Sequence, residues 1–308
     1  QGHIGSTWQN GQYVRTRDLE KVKEAFQDLL DRLHTDYIDL GMIHFVDETA
    51  EFHRIMEGEF IEYVRGLKQK GIIRHIGMST HNPDVAKLAA QCGEVEMLLF
   101  SVNPAFDMLP PCEDLNEYFK EEYAENVGGI APERAELYQI CEQNGIGITV
   151  MKGYAGGRLF SAEASPFGVA LTPVQCLHYA LTRPAVASVM VGFDTPGHVD
   201  AAVAYETASD EEKDYASVLA SAPRHAYVGQ CTYCGHCAPC PSGIDIAMVN
   251  KLYDLAKMQD TLSPTVRAHY DGLSAHASDC IKCGGCESRC PFGVHIIDRM
   301  QAAEELFR

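Results

Sequence analysis

The chain has 308 residues, of which 46% are hydrophobic and 22% charged, and its formal net charge is −18. That balance belongs to a folded protein with room for one large domain and a small one, and it excludes a disordered tail, a collagen-like repeat and a small disulfide knot. No run of about 18 apolar residues appears and the acidic excess repels phosphate backbones, so neither a membrane span nor a nucleic-acid partner is expected.

From the start of the chain, 18–34 places Leu19, Val22, Phe26, Leu29, Leu30 and Leu33 on one helical face. The short apolar run 36–45 reads as a buried strand, and a polar helix near 52–70 follows, closed by Gly71. Strands are expected at 72–79, 95–101, 146–151 and 186–192, and helices at Asn82–Pro83 onward, 131–143, 172–182 and 197–220. An acidic stretch, 104–130, interrupts the rhythm, and within it 112–126 reads as a solvated loop or a partner-facing lid. Alternation of this kind predicts right-handed parallel crossovers with strands buried on both faces. Five such strands suit either an open doubly wound sheet or the later part of an eight-stranded barrel, and no Gly-x-Gly-x-x-Gly turn marks a Rossmann site.

Past about 225 the alternation stops and a repeat begins. Cys240-Pro-Ser-Gly-Ile-Asp-Ile precedes Cys290-Pro-Phe-Gly-Val-His-Ile, each copy following closely spaced cysteines and leading into a helical stretch, 247–257 and 297–307. The spacing Cys280-x2-Cys283-x2-Cys286-x3-Cys290-Pro matches the bacterial ferredoxin run for a [4Fe–4S] cluster; Cys231-x2-Cys234-x2-Cys237-x2-Cys240-Pro is one residue shorter in its last gap. Three thiolates at two-residue spacing can wrap three corners of a cubane, while the fourth, held off by its proline, reaches the neighbouring cluster. The expected ligation is therefore crossed: Cys231, Cys234 and Cys237 with Cys290, and Cys280, Cys283 and Cys286 with Cys240. Two structural zinc sites are the alternative, although zinc ribbons bring separated pairs together and these are continuous runs of four. Cys92, Cys112, Cys141 and Cys176 read as small hydrophobes.

His44 ends a predicted strand, where a parallel α/β fold turns its active site to solvent; His3, His75 and His81 compete with it. The run 35–45 (TDYIDLGMIHF), with 71–79 (GIIRHIGMS), 148–153 (ITVMKG) and 189–192 (VMVG), resembles the aldo/keto reductases, and the cysteine region resembles the helical ferredoxin module appended to one branch of them. The resemblance implies a (β/α)8 TIM barrel over 1–222, lacking its first strands in this chain. A small, mostly α-helical ferredoxin-like domain over 223–308 would follow, with two [4Fe–4S] clusters. It also implies reduction of a small carbonyl by NADH or NADPH, with His44 orienting the substrate oxygen. The cofactor would be held by Ser79, with His81 and Asn82 beside it, by Lys152 and by the loop of Gly192, Phe193 and Asp194.

The match departs from the family in three places. The family's tyrosine, aspartate and lysine lie on the first three strands, and by this alignment Gln1 falls just after the third, so the chain as it stands is expected to be inactive as a reductase and poorly soluble. Tyr13 and Lys21 fall after that point and are not convincing substitutes. The loop 192–202 holds no Lys or Arg, with His198 the one substitute, which favours NADH. The family's glutamine on the sixth strand has no counterpart, leaving Asn103 as polar partner. A nicotinamide moves two electrons together and a cluster one, and no flavin signal is evident. The clusters are thus expected to be structural or to exchange electrons with an external ferredoxin-like partner. The alternative function is an iron–sulfur electron-transfer protein on a non-catalytic barrel scaffold. Exposed clusters point to a cytoplasm low in oxygen.

Overall fold

The computed structural model describes residues 1–9, 12–108, 130–222, 229–257 and 261–308. The expected lid at 112–126 and Cys112 lie outside them. Strand β1 (Gly2–Ile4) opens the chain, and β2 (Ser6–Gln9) and β3 (Gln12–Arg15) form a separate antiparallel hairpin. Helix α1 (Leu19–Leu33) starts at Asp18, whose side chain accepts from the Glu20 amide, and buries Val22, Phe26 and Leu30. The expected strands then follow as β4 (Ile38–Ile43), β5 (Ile73–Thr80), β6 (Met97–Ser101), β7 (Gly147–Met151) and β8 (Val186–Val189). Between them lie α2 (Thr49–Met56), α3 (Glu59–Gln69), α4 (Pro83–Gln91, capped by Asn82), α5 (Pro132–Asn144) and α6 (Pro173–Leu181). A capping box of Thr172 and Gln175 starts α6. After β8 come α7 (Pro196–Val203), α8 (Asp210–Lys213) and α9 (Tyr215–Ala220).

All six strands of the main sheet are parallel, in the order β1-β4-β5-β6-β7-β8. Each new strand adds on the same side, which is the order of a barrel wall; a doubly wound sheet reverses direction at its switch point. The wall also curls. The Gln1 side chain, just ahead of β1, lies 3.0 Å from the Met190 sulfur beyond β8 and 3.4 Å from the Thr149 hydroxyl on β7.

Three expectations need correction. A strand beside that of His44, expected to lie ahead of Gln1, is present as Gly2–Ile4, which pairs with β4; three residues are too few to show a period. The helix expected at 52–70 is two helices, broken at Gly58, where a Cβ would lie 2.6 Å from the Arg54 carbonyl oxygen. The helix expected near 197–220 is α7, α8 and α9, separated by turns that Ser209 and Asp214 cap.

A buried polar cluster joins the wall to its outer helices. Asp107 accepts hydrogen bonds from the hydroxyls of Tyr138 and Tyr179 (2.7 Å for Tyr179) and lies 3.6 Å from the Arg134 guanidinium. Arg134 donates to the Ser101 carbonyl at the end of β6. Both charged groups are fully buried, so removing one weakens the compensation of the other in a low dielectric. Asp107→Ala is expected to destabilise the fold by about 3–5 kcal/mol, measured by denaturant unfolding against Tyr138→Phe, which removes one neutral donor and costs about 1–2 kcal/mol.

Beyond the barrel wall, α10 (Ile246–Lys257), α11 (Pro264–Asp271), α12 (Gly285–Arg289) and α13 (Ile296–Leu306) complete the described elements. The expected helical stretches are α10 and α13. Helix α10 packs on α5 of the barrel, where Lys251 pairs with Glu142 at 3.2 Å and Gln143 donates to the Leu255 carbonyl. Among the described residues no helix is long and apolar enough to cross a membrane.

Candidate functional site

His44 follows β4 directly, and its amide donates to the Ile4 carbonyl at 2.8 Å, extending the β1–β4 ladder. This pairing brings His3 against it, with ring centroids 4.4 Å apart in a stacked arrangement. The next residue, Phe45, sits at φ 50, an unusual conformation for an aromatic residue. Three side chains hold that elbow. The Ser79 hydroxyl accepts from the Phe45 amide at 2.8 Å, Arg15 donates to the Phe45 carbonyl, and Arg17 donates to the carbonyls of both His44 and Phe45. Glu51, buried on α2, pairs with both arginines at 3.0 Å.

Burial, with His3, Arg17 and Arg15 nearby, lowers the His44 pKa to about 3, and burial lowers that of His3. At neutral pH the His44 ring is therefore uncharged, a hydrogen-bond donor or acceptor rather than an acid. The consequence for stability has a definite sign. Between the ordinary histidine pKa of about 6.5 and the folded value of about 3, the unfolded chain binds a proton that the folded chain refuses. Stability is therefore lost as pH falls through that window. His44→Asn is expected to lessen the loss of melting temperature between pH 7 and pH 4, as read by thermal unfolding.

The other end of the wall carries a cleft of about 450 Å³, lined by Lys152, Tyr154, Phe160, Gly192, Asp194 and His198 among others. Lys152 stands at φ 59 beyond β7, and the Asn103 side chain pins this second elbow by donating to its carbonyl at 2.9 Å. Burial raises the Tyr154 pKa to about 12. His198 lies 3.1 Å from Asp194 at the start of α7, so the segment carries no uncompensated cation toward the cleft. Phe193 is half exposed and is not part of the lining.

Lys152, Gly192 and Asp194 are thus brought together, whereas Ser79, His81 and Asn103 do not line the cleft. Ser79 holds the Phe45 elbow. His81 is buried and bonded through its ring and amide to Asp47, which also takes the Thr80 hydroxyl. Asn103 is fully buried, donating to Lys152 and accepting from the Phe106 amide. Their polar atoms serve the loop backbone because the strand ends turn sharply and leave peptide groups to be satisfied.

In the cysteine region the repeat is conformational as well as sequential. Tyr233 and Lys282, two residues after the first cysteine of each group, sit at φ 57 and 56; Gly235 and Gly284 sit at 85 and 76, and Gly243 and Gly293 at 71 and 62. Left-handed residues among right-handed ones turn successive amides inward, forming a concavity that suits anionic groups, iron–sulfur sites included. The Cys231 and Cys234 sulfurs accept from the amides of Tyr233 and His236, and the Cys290 sulfur accepts from the Val294 amide. Cys240 lines one small cavity with Cys280, Cys283 and Cys286. Cys290 in turn is close enough to Cys234 to act on it electrostatically. Arg289 ties the two groups by donating to the Cys237 and Pro239 carbonyls. Among the described residues no three His, Cys, Asp or Glu side chains converge tightly enough for a single metal ion.

Sequence reasoning missed Arg15, Arg17 and Glu51, and set His3 aside. Glu51 alone left a trace, as an acid on a helix face otherwise filled by Phe52 and Ile55.

The sequence model of the aldo/keto reductase family matches residues 9–172, and that of a 4Fe-4S dicluster domain matches 230–295. YqkF of Bacillus subtilis (strain 168), described as an uncharacterized oxidoreductase, is 28% identical over 200 residues, 61% of this chain and 61% of its own length. Aldo-keto reductase YhdN of the same organism is 35% identical over 72 residues, 23% of this chain and 20% of its own. Among solved structures, the holo form of aldo-keto reductase AKR11C1 from Bacillus halodurans aligns with a TM-score of 0.48 at 23% identity, covering 68% of this chain and 69% of that one.

Proposed function

Because the chain belongs to the aldo/keto reductase family, we propose that it serves an oxidoreductase that interconverts a small carbonyl compound and its alcohol with a nicotinamide cofactor. NADH is preferred, and two [4Fe–4S] clusters are carried in the same chain. The observation that carries the reading is the gathering of Cys240 with Cys280, Cys283 and Cys286 around one cavity, in a chain that also holds a strand-end histidine uncharged at a braced elbow. It supports crossed ligation, with Cys231, Cys234, Cys237 and Cys290 as the other set. Residues 1–222 form the barrel portion and 223–308 the cluster domain in this reading.

His44 donates a hydrogen bond to the carbonyl oxygen as negative charge develops there, and the stack on His3 fixes the plane of its ring. Arg17 and Arg15 keep the His44–Phe45 peptide in place through carbonyl bonds. Lys152, Gly192 and Asp194 border the cofactor; the Asp194–His198 pair, with no Lys or Arg in 192–202, disfavours a 2′-phosphate. The nicotinamide, when bound, supplies a hydride. The clusters, when bound, supply one-electron transfer, to which an external ferredoxin-like partner in an oxygen-poor cytoplasm would couple.

One observation favours a second reading. Ser79, His81 and Asn103 are committed to the protein backbone and to Asp47, as suits an electron-transfer protein on a barrel scaffold. Anoxic oxidation of NADH on addition of a small aldehyde or ketone, by the protein that carries the family's tyrosine, aspartate and lysine, separates the two. Carbonyl-dependent turnover supports the enzyme; cluster reduction by a ferredoxin without such turnover supports the scaffold.

A further inference from the structure

Arg183, just after α6, is 2% exposed and lies between the barrel and the first cysteine loop. One of its amino groups donates to the Thr232 carbonyl and contacts the hydroxyls of Thr182 and Tyr215 at 3.0 and 3.3 Å. Its guanidinium lies over the rings of Tyr179 and Tyr233, at 4.5 and 5.7 Å. Thr232 and Tyr233 are the two residues between Cys231 and Cys234. The Nε and Nη1 atoms are buried without a hydrogen-bond partner among the described residues, and the one carboxylate that acts on this arginine, Asp107, does so through space without an ion-pair contact among the described residues. The nearest buried acid, Asp107, is already held by Arg134, Tyr138 and Tyr179.

A buried cation without a counter-charge is costly. The other cations of the region are compensated or wet: Arg299 pairs with Asp254 at 2.6 Å, and Lys282 and Arg289 are exposed. We propose that Arg183 is the counter-charge of the cluster bound by Cys231, Cys234, Cys237 and Cys290, and that it raises the reduction potential of that cluster above that of its neighbour. Each one-electron reduction adds a negative charge to the cluster, and in a low dielectric a fixed cation beside it favours the more negative state. The cations that line the cavity of the second set, Lys282 and Arg289, are exposed and screened by water, and its Cys283 is exposed with Ile281 beside it. An electron delivered by an external one-electron reductant at the exposed set therefore settles on the barrel side.

The inference rests on the two-cluster reading, and the test separates their failures. The chain is purified without oxygen, its iron and sulfide are measured, and it is titrated with dithionite while the clusters are followed by electron paramagnetic resonance. Absence of iron and sulfide defeats the reading itself. With both clusters present, Arg183→Gln should lower the higher of two midpoints at least tenfold in the reduced-to-oxidised ratio, about 59 mV for one electron, and leave the lower in place. Arg183→Lys, which keeps the charge, and Tyr215→Phe, which removes a neutral bond to the same loop, should leave both unchanged. An unmoved higher midpoint in Arg183→Gln overturns the proposal, as does an equal fall in Tyr215→Phe. If Arg183→Gln fails to hold its first cluster, Arg183→Lys decides alone: a wild-type midpoint supports the charge effect, and a tenfold fall overturns it.

Discussion

Replacing Cys240 and Cys283 together by alanine is expected to leave about half of the iron, about four atoms per chain from about eight, and replacing Cys240 and Cys234 together to leave almost none. The difference arises from which cysteines share a cluster. Cys240 belongs in sequence to the first group, yet it lines a cavity with Cys280, Cys283 and Cys286; in the proposed crossed ligation Cys240 and Cys283 serve one cluster and their loss leaves the other intact, whereas Cys234 and Cys240, six positions apart, serve different clusters. An arrangement in which each run of four binds its own cluster predicts the reverse result for the two double variants. Iron and labile sulfide analysis of anoxically purified protein reads both. Two zinc sites would give neither the iron nor the brown colour.

In the protein that carries the family's tyrosine, aspartate and lysine, His44→Ala is expected to lower kcat/KM for carbonyl reduction by about 10²–10³, with little change in the KM for NADH, since the proposed bond of the histidine is to the substrate oxygen and not to the cofactor. The ring is already neutral at pH 7, its pKa lowered to about 3 by burial and by His3, Arg17 and Arg15. The wild-type rate profile should accordingly show no inflection from this group between pH 5 and pH 8. Arg17→Ala removes the bonds to the His44 and Phe45 carbonyls and so loosens the elbow without touching the ring. It should lower kcat while leaving the pH profile flat. A His44→Ala protein that reduces carbonyls within twofold of wild type would leave the histidine a core residue and favour the scaffold reading.

Much of this was legible along the chain. The five strands from β4 to β8 appear as short apolar runs, β4 to β7 because most of their residues are buried while β8 is partly exposed, and the starts of α4, α5 and α6 are marked by Pro at the first turn. What was missed has a common cause. A three-residue β1 has no period to read. Gly58 breaks a helix through a contact with the Arg54 carbonyl that spacing alone does not show. The bonds of Ser79, His81 and Asn103 to nearby peptide groups and Asp47 arise where the strand ends turn sharply, which spacing along the chain does not show.

Amino-acid order alone settles the features that depend on neighbours a few positions apart: the strand–helix alternation, the helix caps, and two cysteine runs whose repeated turns take the same left-handed conformations. Folding settles what depends on distant partners. It sets His3 against His44, braces the elbow with Arg15, Arg17 and Glu51, and brings Arg183 to a loop 49 positions away. These contacts come from strand register and interface packing, which a local pattern does not encode.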